Sequence, residues 1–292
     1  MKKLVIVSGK GGVGKTVITA SLAFSLNGEG IKPVVAEGDV DTPNLHLLLG
    51  FKPEGVSKVL RASRKAKIDS VKCLDCGACY EACQFSAIRR GRGKYYVDTY
   101  LCEGCGTCSL VCPVNAISIS EELTGEIYVG STRYGFPMVT AKLRAGEKNS
   151  GLLVTEVKKL AESLRGDLTL IDGAPGIGCE VISAISGSDY VIAVTEPTPP
   201  SFNGFKRLLE LTHYFKVQTG LIVNKSTINE SYLIKLESYA KERNVEILAK
   251  LPFDFKVVEA LATGKPVTDY DPSSPFSRGL SRVVKFVKEL MK

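Results

Sequence analysis

The sequence predicts an α/β fold, a doubly wound and mostly parallel sheet into which a small α+β module is inserted. Three observations carry that expectation. Short β-rich runs alternate with stretches of helical spacing along most of the chain. A glycine-rich segment, "SGKGGVGKT", joins the first such run to the first helix. Between the second run and the remainder, "CLDCGACYEACQ" from Cys73 and "CEGCGTCSLVCP" from Cys102 each hold four cysteines. Strand–helix alternation implies a parallel sheet covered on both faces, and the cysteines interrupt it.

Taken in order, "KLVIVS" reads as a buried first strand and Lys15 to Leu26 as a helix after the glycine loop. "KPVVAEGD" reads as a second strand ending at Asp39. Beyond the cysteines, Ser150 to Leu164 has helical spacing, with Ser150 as its cap. "DLTLID", "DYVIAVTE", "TGLIVNK" and "VEILAKLP" are further strands separated by helical stretches. With two strands before the cysteines and four after them, the cysteine module is an insertion. The expected boundaries are 1–60 and 123–292 for the sheet domain and 61–122 for the module.

The insertion repeats itself. Residues 73–88 match residues 102–117 at an offset of 29, with seven of sixteen positions identical, which predicts a module with pseudo-twofold symmetry. Arg89 to Thr99 has the composition of a β-hairpin joining the halves.

No apolar run approaches the roughly 18 residues a spanning helix needs, and the apolar run after Met1 is too short for a signal peptide. A cytoplasmic protein is expected. Nine cysteines in a reducing compartment then point to metal or redox chemistry rather than disulfides. The formal charge of +7 is a weak basic signal. Two oxidised [4Fe–4S] clusters with their thiolates, at about −2 each, would bring it to about +3, so nucleic acid is not an expected partner. "RASRKAK" and "RRGRGK" are either solvated faces or a site for an acidic partner.

Gly9, Gly14, Lys15 and Thr16 satisfy G-x4-G-K-[ST] directly after a strand and before a helix, the context that makes this motif a phosphate loop and the fold one of P-loop NTPase type. Backbone N–H groups of Gly9, Lys10, Gly11, Gly12, Val13 and Gly14 would turn around the phosphates of ATP or ADP. Lys15 would neutralise the β/γ-phosphates and the Thr16 hydroxyl would ligate Mg²⁺.

"KGGVGKT", with its additional Lys10, resembles the deviant Walker A motif of the MinD/ParA family of P-loop ATPases, and the resemblance extends over nearly the whole chain outside the insertion. It implies that Lys10 reaches the nucleotide of a facing subunit in an ATP-dependent homodimer; a solvated lysine tolerated by the turn is the plainer reading. "EGDVDTPNLHLLLG" is similar to the family's switch I, which implies that Asp39 helps organise Mg²⁺ and that Asp41 orients the attacking water. A turn-capping role for Asp41 stays open. "LTLIDGAPGIG" resembles Walker B running into switch II, which implies a water-mediated Mg²⁺ contact from Asp172, with Gly173, Gly176 and Gly178 allowing movement. In "LIVNK", Asn224 matches the adenine-reading asparagine, whose amide has the donor and acceptor an adenine edge requires. A strand-end turn asparagine is the alternative.

C-x2-C-x2-C-x3-C resembles the run of two-cluster bacterial ferredoxins, in which the fourth cysteine serves the other cluster. Cys73, Cys76, Cys79 and Cys112 would hold one [4Fe–4S] cluster, and Cys102, Cys105, Cys108 and Cys83 the second. Gln84 stands where a proline usually follows the fourth cysteine; Pro113 keeps the pattern in the other run. Zinc sites prefer two separated pairs of ligands. Cys179 is left over, either a reactive thiol at a helix start or an inert cysteine. One spare cysteine per chain gives two in a dimer, too few for the four ligands of a cluster bridged between subunits.

These readings converge on an ATP-binding and -hydrolysing iron–sulfur protein in which nucleotide gates electron transfer to a redox partner that the sequence does not identify. The alternatives are an iron–sulfur cluster carrier or scaffold ATPase, and a MinD-like positioning ATPase with a redox-sensing module. The last would need a membrane-binding tail. Leu280, Val283, Val284, Val287, Leu290 and Met291 fall at helical spacing near the C-terminus, a pattern that suits a helix packed on the sheet better than one lying on a membrane.

Overall fold

The computed structural model describes every residue from Met1 to Lys292, and these divide into two compact units. The first comprises Met1–Ser57, Ile127–Lys142 and Ser150–Lys292; the second comprises Lys58–Glu126 and Leu143–Asn149. The chain opens with β1 (Lys2–Ser8), α1 (Lys15–Gly28), β2 (Pro33–Glu37) and α2 (Leu45–Leu49). It passes into the second unit within β3 (Lys52–Ile68). There it forms α3 (Ala78–Ala82), β4 (Ile88–Gly91), β5 (Lys94–Val97) and α4 (Thr107–Leu110), and it returns within β6 (Ile117–Ser131). After β7 (Pro137–Leu143) the alternation resumes: α5 (Ser150–Ser163), β8 (Leu168–Pro175), α6 (Cys179–Ile185), β9 (Tyr190–Thr195), α7 (Pro199–Tyr214), β10 (Gln218–Val223), α8 (Glu230–Glu242) and β11 (Glu246–Lys250). The chain closes with α9 (Phe255–Ala262), α10 (Val267–Tyr270) and α11 (Pro275–Leu290).

Nine strands form one sheet in the order β11-β10-β9-β1-β8-β2-β7-β6-β3. From β11 to β7 every neighbouring pair is parallel. The six strands expected from the sequence are all in it; β3, β6 and β7 are additions the sequence reading did not supply. β2 stops at Glu37, two residues before the expected Asp39, and α5 takes Ser150 as its own first residue rather than as a cap.

The parallel strands are apolar without alternation because helices cover both faces: Leu4, Val5, Ile6 and Val7 of β1 are all fully buried. α1 lies under the same core with Ile18, Leu22 and Leu26 buried, and its polar Thr19 and Ser21 are buried too. Ser21 is satisfied by the N–H of Val267, while Thr19 serves the site below. The C-terminal apolar stripe is used within the fold, since Phe276, Leu280, Val283, Val284 and Val287 of α11 join the main core. That face is therefore not available to a membrane, and no helix is long and apolar enough to cross one.

The second unit is built by its repeat. Asp69 N–H donates to the Ala116 carbonyl at 2.8 Å, and Asp98 N–H donates to the Ala87 carbonyl at 2.7 Å. Those two bonds are the same bond exchanged between halves. β4 and β5 pair as an antiparallel hairpin, with Arg92 and Gly93 at φ 50° and 80°, the left-handed pair a tight two-residue turn requires.

Candidate functional site

The phosphate loop runs from the end of β1 to the first turn of α1. Gly12 and Gly14 adopt φ of +80° and +91°, which turns successive N–H groups toward one side, as an anion-binding loop needs. Gly9 has a different job. A Cβ on it would lie 2.1 Å from the Gly204 carbonyl carbon and oxygen, so glycine is required there for backbone-to-backbone packing on α7. Gly11 has open space around it, and Val13 points into the core.

Asp172, buried at the heart of β8, gathers the first turn of α1. Its carboxylate lies 2.8 Å from the Lys15 ammonium and accepts from the Thr16 hydroxyl at 2.8 Å and the Thr19 hydroxyl at 2.7 Å. A hydroxyl, a carboxylate and an ammonium thus converge at the mouth of the loop, the donor set that a divalent cation with its phosphates takes. Gly38 N–H donates to the Asp172 carbonyl at 2.7 Å, and Gly176, at φ +94°, donates to the Ser8 carbonyl at 2.8 Å. Both expected switch segments are thereby pinned to the strand ends.

Asp39 accepts from the Thr42 N–H and hydroxyl at 3.2 and 3.1 Å. Burial raises its pKa; the Thr42 bonds and the Lys15 charge oppose this, and the charge of Asp172 adds to it. Asp41 is exposed, and its pKa is raised by partial burial and by the charges of Glu180 and Asp39. A carboxylate group crowded in this way gains from a cation.

Asn224, at the end of β10, is buried against the loop: its Nδ2 donates to the Val13 carbonyl at 2.8 Å, and a Cβ on Gly14 would come within 2.3 Å of it. Beside it stand two residues the sequence reading passed over. Glu196, buried at the end of β9, takes the Lys225 ammonium at 2.8 Å and the Lys10 ammonium at 3.4 Å. Burial pushes the Glu196 carboxyl up, but the hydrogen bond and charges of Lys225 and Lys10 outweigh it and the net direction is down. Lys225 also donates to the Gly12 carbonyl at 3.1 Å. Glu37, at the end of β2, was passed over likewise. It accepts from the N–H groups of Asn44 and Leu45 at 2.5 Å each and from the Thr140 hydroxyl at 2.6 Å, fixing the turn that carries Asp39 and Asp41.

One signal could have found these acids. Each ends an apolar strand at its carboxyl end, where parallel sheets build their sites. Thr19 had a signal as well, since it follows Lys15 by four residues and Thr16 by three on one helix face.

The eight repeat cysteines sort into two sets. Cys73, Cys76, Cys79 and Cys112 line one hollow, together with Leu74, Tyr95 and Ile117. Cys83, Cys102, Cys105 and Cys108 line the other, with Phe85, Ile88 and Ile119. In each set the fourth cysteine of one run stands with the first three of the other. No three His, Cys, Asp or Glu side chains close on a single ion; the thiols surround a volume instead. Backbone N–H groups point at several of the sulfurs: Asp75 at Cys73 (3.4 Å), Ala116 at Cys112 (3.2 Å), Ala66 at Cys102 (3.4 Å) and Ala87 at Cys83 (3.3 Å). Burial pushes the Cys79 and Cys108 thiols up, while hydrogen bonds from Thr107 pull Cys105 down. Cys179 lies apart, exposed, as the first residue of α6.

Known proteins place the fold. An uncharacterised protein of Methanocaldococcus jannaschii is 34% identical over 290 residues, covering 99% of this chain and 97% of its own. A protein of the same organism named an iron–sulfur cluster carrier protein is 26% identical over 310 residues, covering 98% of this chain and 85% of its own. The structure of the septum site-determining protein MinD of Pyrococcus horikoshii, complexed with Mg-ADP, superposes with a TM-score of 0.62 at 21% identity, covering 99% of this chain and 96% of that one. Residues 4–267 match the CobQ/CobB/MinD/ParA nucleotide binding domain. With its phosphate loop, buried Asp172 and parallel sheet, the chain belongs to the CobQ/CobB/MinD/ParA nucleotide-binding family of P-loop ATPases.

Proposed function

We propose that the chain binds and hydrolyses ATP with Mg²⁺ at the Gly9–Thr16 loop, and that its second unit carries two [4Fe–4S] clusters whose electron exchange the nucleotide gates. The observation that carries this reading is the sorting of eight cysteines into two fours, each completed across the repeat. Sets of this composition hold the two clusters of bacterial-type ferredoxins, and the N–H groups aimed at Cys73, Cys83, Cys102 and Cys112 suit anionic thiolates. Each bound cluster would supply a one-electron store.

At the other site the chain's own residues divide the labour. Lys15 neutralises the β/γ-phosphates, and Thr16, Asp39 and Asp172 hold Mg²⁺ directly or through water. Asp41 orients the attacking water. Asn224, with one N–H given to Val13, keeps its second N–H and its oxygen for the adenine edge. Lys10, held by Glu196 within its own chain, is the residue that would cross to a facing subunit in an ATP-bound homodimer. The second unit interrupts the chain between Asp41 and Asp172, so both switch segments flank it in sequence, and this motivates the gating. The partner would be a redox protein.

Anaerobically prepared protein should carry about eight iron and eight sulfide per chain. Its reduction potentials, or its reduction rate with a low-potential donor, should change with a non-hydrolysable ATP analogue. Unchanged potentials and rates would reject gating and leave a positioning ATPase with a redox-sensing module. A second reading, cluster carriage, is favoured by the name of the carrier protein to which the chain is similar. Loss of the chain's iron to an apo-acceptor, stimulated by ATP, would select it.

A further inference from the structure

The two cysteine sets are not equivalent, and the repeat allows them to be compared position by position. The N–H groups of Asp75 and Ala116 in one set match those of Ala66 and Ala87 in the other, each 3.2–3.4 Å from a sulfur. Four other features do not match, and three of them favour one set. The Thr107 hydroxyl lies 3.4 Å from Cys105 Sγ, and its counterpart 29 residues earlier is Ala78, which has no hydroxyl. The Asp75 carboxylate lies 3.6 Å from Cys73 Sγ, so a thiolate there sits beside a second negative group. Its counterpart is Gly104, where a Cβ would meet the Arg64 carbonyl oxygen at 2.1 Å, so no carboxylate can stand in that place. Finally, Lys65 is buried and donates to the Cys102 carbonyl at 3.0 Å. Its counterpart Lys94 is exposed, with its charge set against Asp75 at 3.2 Å.

We infer that the Cys102, Cys105, Cys108 and Cys83 site is built to have the higher reduction potential and the Cys73, Cys76, Cys79 and Cys112 site the lower. An electron entering the module therefore settles at the Cys102 site. This rests on the two-cluster reading above. Donors to a ligand sulfur and nearby positive charge stabilise an added electron, and nearby negative charge opposes it. Three of the four differences point the same way; the fourth, Glu103, which lines the Cys102 hollow where the first set has Leu74, opposes them, and its charge is paired with Lys148. Thr107 and Asp75 act through the ligands Cys105 and Cys73, so they are positioning residues, and their signature is a potential rather than a rate.

The test is an anaerobic redox titration of the full chain, followed by electron paramagnetic resonance after iron and sulfide have been counted. Wild type should reduce in two steps, with the electron partitioned at least tenfold toward one site, or about 59 mV for one-electron couples. Thr107→Val should lower the upper step alone, and Thr107→Ser should restore it. Asp75→Asn, which keeps the N–H bond to Cys73, should raise the lower step alone. Iron content and circular dichroism should stay as in wild type. Eight irons with coincident steps, or a Thr107→Val effect on the lower step, overturn this inference and leave the two-cluster reading standing. A chain that takes up no iron on anaerobic reconstitution overturns both.

Discussion

The two units hold their shapes by different means. In the first, strands and helices bury an extended apolar core in which Leu4, Ile6, Ile18, Leu22, Phe276 and Leu280 are wholly inaccessible. The core of the second has seven buried residues, three of them the cysteines Cys79, Cys102 and Cys108. Its two helices and two hairpin strands are four or five residues long. A core in a unit of that size rarely supplies more than about 3–5 kcal/mol. The comparison teaches that the phosphate loop is framed by an extended apolar core, whereas in the second unit the cysteines are themselves part of the small core; on the two-cluster reading, ligand binding and folding there would be one equilibrium.

The largest expected effect breaks the second unit and spares the first. Anaerobic removal of iron by a chelator should expose residues 58–126 to protease while residues 150–292 stay protected. Mass spectrometry of the fragments reads this, and equal loss of both regions would refute the contrast. Next in size, Lys15→Ala should weaken ATP binding by a factor on the order of 100 or more, because phosphate charge is left unneutralised. Its thermal unfolding in the absence of nucleotide should stay cooperative, as measured by calorimetry beside nucleotide titration.

Smaller effects sharpen the picture within the first unit. Gly9→Ala should cost about 1–3 kcal/mol, since the new Cβ collides with Gly204 backbone rather than with a movable side chain. Gly11→Ala is the control, its Cβ meeting nothing nearer than Pro175 at 4.0 Å. Urea denaturation of both variants separates packing from phosphate binding. The smallest effect is Glu196→Gln, about 1 kcal/mol or less, because Lys10 and Lys225 are partly exposed. The Glu196 carboxyl sits below its ordinary value of 4.5. Its contribution is therefore present above that pH and is lost as pH falls through the lowered folded value. The gap between wild type and variant in urea titrations should close over that window.

How much of this could be read from the sequence depended on whether a signal was collective or solitary. β1, β2, β8 and β9 announce themselves as apolar runs because both their faces are buried, and β10 and β11 by the apolar residues along them. The phosphate loop and the two cysteine runs announce themselves by spacing. β3 did not, because residues 52–59 are all exposed and its stretch "RASRKAK" has the composition of a solvated face. β6 was missed in the same way, since it is only partly buried; β7 was missed although Met138, Val139, Thr140 and Ala141 are buried, because Thr140 and Lys142 break its apolar run. Glu37 and Glu196 were passed over for a different reason. Each is a single acid whose meaning comes from partners far along the chain, Thr140 for one and Lys10 for the other.

The exchanged bonds of Asp69 with Ala116 and Asp98 with Ala87 also bear on why both halves belong to one chain. A chain with a single cysteine run would find that carbonyl, and its fourth thiol, only in a second copy of itself. The tandem unit holds within one chain what such a copy would have to find by association. Joining the copies replaces an association that depends on protein concentration with one at an effective concentration on the order of millimolar. Two halves in one chain also need not be identical, as two copies of one chain must be, and Thr107 opposite Ala78 marks a place where they differ.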